Sequence, residues 1–109
     1  MPTLYISNAF SVSMVGDAII SIKKIRDEEA KQLLTHGFVS AVGHESTAKV
    51  MSAKLGMSIQ VNRVQVQLSP GDKLIVFQLL KRLEEGKVLN EDELRTIPAE
   101  WRIVEVISR

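Results

Sequence analysis

Apolar and polar positions change period repeatedly along this chain, and each change marks an element. Thr3-Leu4-Tyr5-Ile6-Ser7 reads as a short strand closed by the turn-former Asn8. Ser11 is placed to cap one helical turn through Met14 and Val15, which Gly16-Asp17 breaks. Residues 18–25 set Ile20, Ile22 and Ile25 among Ser21 and Lys23 and predict a second strand. Asp27 then caps a helix with Glu28 and Glu29 in its first turn and Ala30, Leu33 and Leu34 as its inward stripe. His36-Gly37 ends that helix, the glycine taking the left-handed position.

Residues 38–42 predict a third strand. From His44 to about Leu55, Thr47, Ala48, Met51 and Leu55 recur at helical spacing, and Gly56 stops the helix. Residues 63–68 alternate, with Val64 and Val66 on one face and Gln65 and Gln67 on the other, and predict a further strand. Ser69-Pro70-Gly71-Asp72 is a turn by its chemistry. Residues 74–80 form the most apolar run and predict a central strand buried on both faces. Asn90, with Glu93 three residues on, makes a capping box for a last helix ended by Pro98, and residues 101–107 predict the final strand.

Strands and helices interleave throughout, which predicts an α/β fold. The expected architecture is a single domain over residues 1–109, with one mixed sheet of about five to six strands and helices packed on it. A chain of 109 residues buries roughly two-thirds of its unfolded surface, enough for one core. There is no cysteine, which excludes disulfides, thiolate zinc sites, iron–sulfur clusters and cysteine nucleophiles. A formal charge of +1 argues against long-range attraction to duplex nucleic acid but leaves a local basic pocket open. No apolar run approaches the roughly 20 residues of a membrane helix, and the start lacks the pattern of a signal peptide.

Candidate chemistry gathers in three places. His44 stands in Ala41-Val42-Gly43-His44-Glu45-Ser46-Thr47-Ala48, where an apolar run gives way through glycine to a helix start. Such a start offers free N–H groups and the positive end of the dipole to anions, and imidazole adds a proton donor or acceptor near neutral pH. The plainer alternative is a histidine that only hydrogen-bonds locally. A zinc-protease motif is excluded because Ala48 stands where the second histidine belongs. His36, at a helix C-terminus, is favoured by the dipole alone. Lys81-Arg82-Leu83-Glu84-Glu85-Gly86-Lys87 follows the predicted central strand. It is either a solvated charged connection or a ligand edge, with Arg82 to meet phosphate and Glu85 to orient it. Asn8-Ala9-Phe10-Ser11 is a polar loop after the first strand, readable as a turn and cap or as a place where backbone N–H groups approach a ligand. Asn62-Arg63 adds a cation whose expected place is the surface.

Taken in order, Asn8-Ala9-Phe10-Ser11, Val42-Gly43-His44-Glu45-Ser46-Thr47, Asn62-Arg63-Val64 and Arg82-Leu83-Glu84-Glu85-Gly86-Lys87-Val88-Leu89 resemble the anti-CRISPR ring nuclease family of archaeal viruses. An aspartate commonly follows the histidine in that family where this chain has Glu45. The resemblance implies a symmetric homodimer in the cytoplasm of an infected host cell. Its ligand would be cyclic tetra-adenylate, the second messenger of type III CRISPR complexes, cut without metal or cofactor to linear di-adenylate with 2′,3′-cyclic phosphate ends. The matching residues would be His44 as general acid, Arg82 and Glu85 as its catalytic neighbours, and Asn8, Ala9, Phe10, Ser11 and Gly43 around the ligand. The 82–89 loop, with Gly86 as its flexible point, would be a lid. A rival of another class is a non-catalytic nucleic-acid-binding viral dimer using the same cleft.

Overall fold

The computed structural model describes residues 2–80 and 90–108. The block from Lys81 to Lys87, with Arg82, Glu85 and the expected lid, lies outside the described residues. Among those described, five strands alternate with three α-helices: β1 (Leu4–Ser7), β2 (Ile19–Ile25), α1 (Asp27–Leu34), β3 (Val39–Ser40), α2 (Glu45–Leu55), β4 (Lys73–Leu79), α3 (Glu91–Thr96) and β5 (Ala99–Ser108). They form a mixed sheet in the order β2-β5-β4-β1-β3. β1 pairs in parallel with both β3 and β4, while β5 runs antiparallel to β4 and to β2.

Strand alternation sends successive side chains to opposite faces of this sheet, and each face has its own core. Ile6, Ile75, Phe77 and Trp101 meet Ala30 and Leu34 of α1, Val50, Met51 and Leu55 of α2, and Leu94 of α3. Tyr5, Leu74, Val76, Val104 and Val106 meet instead Phe10, Met14 and Val15 from one connection and Val66 and Leu68 from another. The helices therefore cover one face and irregular chain covers the other. Trp101 packs its ring at 4.6 Å from Phe77 and donates its Nε1–H to the Asp27 carboxylate, which ties β5 to the start of α1.

Several expectations need correction. Residues 63–68 do not join the sheet; just before them Val61 makes an isolated parallel bridge with Val42. The alternation is nevertheless real, since Val66 and Leu68 are buried over the second face. Val64, expected beside Val66, is 48% exposed. Of residues 38–42 only Val39–Ser40 pairs with β1. The turn capped by Ser11 is a 3₁₀ helix, Val12–Met14, with Ser11 Oγ accepting from the Ser13 N–H. α1 begins at Asp27, so Arg26 occupies the N-cap position and its N–H is met by Glu29 at 3.2 Å. Asp27 is free to serve Trp101 because it does not cap.

The 69–72 turn is held by a buried carboxylate. Asp72 accepts from the Thr3 and Ser69 N–H groups, each at 2.9 Å, and so joins the entrance of β1 to the turn before β4. Replacing Asp72 with alanine strands two amides, and leaving a buried donor unmet costs about 1–3 kcal/mol. The unfolding free energy of Asp72→Ala, read by urea denaturation, is expected to fall by that amount with an unchanged denaturant slope.

Candidate functional site

Three parallel strands deliver their carboxyl ends to one edge of the sheet, the usual place for ligands in such folds. β1 opens into Asn8-Ala9-Phe10-Ser11, β3 runs through Ala41 to Gly43 into α2, and β4 leads through Leu80 toward the 81–89 block. Leu80 is held at that edge by its N–H bond to Pro98 at 2.9 Å.

α2 starts at Glu45 with His44 as N-cap residue, in extended backbone (φ −130°, ψ 129°). The His44 side chain is exposed and does not cap the helix. Serine, threonine, aspartate and asparagine are the strong caps, and the imidazole here makes no cap bond to the first turn. The helix is stabilised elsewhere, by Thr47, Ala48, Val50, Met51 and Leu55 buried against the sheet and by left-handed Gly56 at its end (φ 66°).

Immediately before His44, Gly43 is grasped from two distant parts of the chain. Asn8 Oδ1 accepts the Gly43 N–H at 3.1 Å, and Arg63 Nε donates to the Gly43 carbonyl at 2.9 Å. Alongside, Asn62 N–H donates to the Val42 carbonyl at 2.8 Å and its carboxamide donates to the Ser40 carbonyl at 2.7 Å. Three of the four sequence blocks therefore meet at one residue, Gly43. Arg63, expected at the surface, is exposed but bonded into the site. The sequence singles out Asn62-Arg63 but carries no sign of this bond, because the arginine's partner is a backbone carbonyl 20 positions away.

A family model described as STIV B116-like matches residues 4–101. The chain belongs to the STIV B116-like family. It is 40% identical to uncharacterized protein 26 of Sulfolobus islandicus filamentous virus, over 96% of this chain and 92% of that protein. It is 39% identical to uncharacterized protein ORF117 of Acidianus two-tailed virus, over 79% of this chain and 77% of that one. The solved structure of B116 of Sulfolobus turreted icosahedral virus superposes with a TM-score of 0.81 at 29% identity, covering 94% of this chain and 98% of the other.

Two concavities flank this family member's Gly43–His44 corner. One, of about 450 Å³, lies on the second face and is lined by Asn8, Ala9, Phe10, Ile22, Val76, Gln78, Arg102 and Val104. The other, of about 910 Å³, runs along α2 past Glu45, Lys49, Ser52 and Gln60 to Arg63. In the first, Ala9 has its N–H turned to Ser7 Oγ at 3.3 Å, whereas Ser11 does not line it and is engaged with Ser13 at 3.0 Å. Gln78 and Arg102 enter this cleft without having been singled out from sequence. Gln78 was legible in principle, as the one amide in the apolar run of residues 74–80.

Arg102 is anchored by Glu100 at 2.7 Å, and Lys24 approaches the same carboxylate at 3.3 Å. The Arg102 guanidinium, with Lys24, holds the Glu100 carboxyl below its ordinary value of 4.5. A depressed carboxyl stabilises the fold above its unfolded value and ceases to do so as pH falls through the folded one. The difference in melting temperature between wild type and Glu100→Gln is thus expected to be full at neutral pH and to vanish on acidification below about 4.5.

The poor cap makes a second expectation. His44→Ser supplies an oxygen to the first turn and should raise unfolding stability by about 1 kcal/mol, read by chemical denaturation. A destabilised variant would show that the imidazole makes a stabilising contact of its own.

Proposed function

We propose that the chain is a metal-independent ring nuclease that opens cyclic tetra-adenylate and so suppresses type III CRISPR immunity from the cytoplasm of an infected host cell. The observation that carries the reading is the convergence of the Asn8 loop, the His44 helix start and Arg63 on one residue, Gly43, at the carboxyl edge of the parallel strands. The family's viral members support the setting.

The chemistry asks little of the protein beyond placement and charge. A ribose 2′-hydroxyl attacks the adjacent phosphorus in line, and the bond to the 5′-oxygen breaks. The leaving oxygen takes a proton from His44, and the 2′-hydroxyl passes its own to solvent water, from which His44 is reprotonated, so that a 2′,3′-cyclic phosphate and a free 5′-hydroxyl result. Two such cuts turn the ring into two linear di-adenylates. The uncapped start of α2 favours the phosphate's negative charge. In this reading Arg82 and Glu85, outside the described residues, act beside His44, Arg82 meeting charge at phosphorus and Glu85 orienting it or the hydroxyl. Asn8, Ala9, Phe10 and Ser11 wall the ligand.

A two-fold homodimer matches such a ligand, because a four-fold ring on the axis presents opposite phosphates to His44 of each subunit. Two copies also pool basic residues for a polyanion.

The deciding assay incubates the protein with cyclic tetra-adenylate in excess EDTA, beside His44→Ala. Wild type is expected to yield di-adenylate with cyclic phosphate ends, and the variant to be slower by about 10²–10⁴. Intact ring with wild type sinks the proposal. Salt-dependent binding of single-stranded RNA or DNA that is indifferent to His44→Ala would favour the non-catalytic viral regulator instead.

A further inference from the structure

We propose that Asn8 is a positioning residue, which fixes the proton donor by holding Gly43, rather than a residue whose contact with the ligand matters. This rests on the reading of His44 as general acid, and the geometry supplies the rest.

Backbone hydrogen bonds hold the chain up to Val42 and again from Ala48. Ala41 N–H bonds the Ile6 carbonyl at 2.8 Å, the Val42 carbonyl takes the Asn62 N–H at 2.8 Å, and the Ala48 N–H returns to the His44 carbonyl at 3.0 Å. Gly43 lies between these supports and belongs to neither ladder nor helix. Among the described residues both of its peptide groups are taken by side chains, the N–H by Asn8 across 35 positions and the carbonyl by Arg63 across 20.

Glycine itself is not required at this position. Its φ is not among the positive ones, and a Cβ would meet Arg63 Cγ at 3.9 Å and Asn8 Oδ1 at 4.0 Å, which are ordinary contacts. The residue therefore brings rotational freedom that the native conformation does not use. Without restraint, that freedom would sit one bond from the residue whose imidazole must meet a leaving oxygen. Asn8 and Arg63 remove it. Because Asn8 Oδ1 occupies the Gly43 N–H, that N–H is also withdrawn from the list of groups able to donate to a phosphate.

Two variants separate positioning from contact. Asn8→Asp keeps an acceptor for the Gly43 N–H but exchanges the donor amide for negative charge. Asn8→Ala removes the acceptor. The first readout is hydrogen exchange at the Gly43 amide in the free protein, expected to be faster in Asn8→Ala and close to wild type in Asn8→Asp. The second is steady-state cleavage of cyclic tetra-adenylate. Displacing a catalytic group slightly lowers kcat by about 10- to 100-fold, so Asn8→Ala should lose kcat on that order with KM little changed. Asn8→Asp should keep kcat and raise KM, through repulsion of the anion. Adding Gly43→Ala to Asn8→Ala should recover part of kcat, since alanine restricts the same backbone.

Unchanged Gly43 exchange in Asn8→Ala overturns the proposal. So does a rise in KM with kcat intact in Asn8→Ala, which marks a ligand contact. No cleavage by wild type removes the function and leaves the hold on Gly43 to be decided by exchange alone.

Discussion

The hydrogen bonding of β1 to two parallel neighbours constrains everything at the site. Parallel strands cannot be joined by a hairpin, so each must be followed by a crossover, and their carboxyl ends must lie together. In the observed register Tyr5 faces Leu74 and Ile6 faces Ile75, which sends Ile6 to the helical core and Tyr5 to the opposite one. A slip by one residue would exchange the two faces and carry Asn8 away from Gly43. The bond between Asn8 and Gly43 is thus a product of strand register before it is a product of either side chain.

The helical face and the second face divide the work. α1, α2 and α3 bury large aliphatic and aromatic groups against β1, β4 and β5 and supply rigidity. α2 in particular is secured by its buried flank and its glycine terminus, so its opening residue is released from capping duty. That release is what allows an imidazole to stand where a serine would serve the helix better, a local cost of the kind that functional positions often carry.

Elements governed by neighbouring residues were legible in the sequence. The α2 span with Gly56 and the Asn90–Glu93 capping box rest on chemistry within a few positions and stand as expected. The β4 run forms its strand, although Gln78 and Leu80 at its far end are exposed rather than buried. Where the outcome rested on distant partners, the sequence misled. Alternation at residues 63–68 reports burial of Val66 and Leu68, and pattern alone cannot tell a sheet strand from an extended chain laid over a sheet. Asp27 has the chemistry of a cap, but Trp101 claims its carboxylate from 74 positions away. At the site, His44 and the Asn8 loop stood out as separate blocks. Their junction, and the part of Arg63 in it, depend on a sheet that brings together segments far apart in sequence.

The second face has a consequence for how this architecture can vary. Its cover consists of residues 9–18 and 64–69, chain with a single 3₁₀ turn as its regular structure, anchored by bonds such as Leu68 N–H to the Met14 carbonyl. Connections of this sort accept insertion and deletion far more readily than packed helices do. Lengthening or trimming either one would reshape the wall beside Phe10, Gln78 and Arg102 without disturbing the helical core. The fold therefore keeps a fixed half that determines where His44 stands and an adjustable half that determines what is admitted next to it.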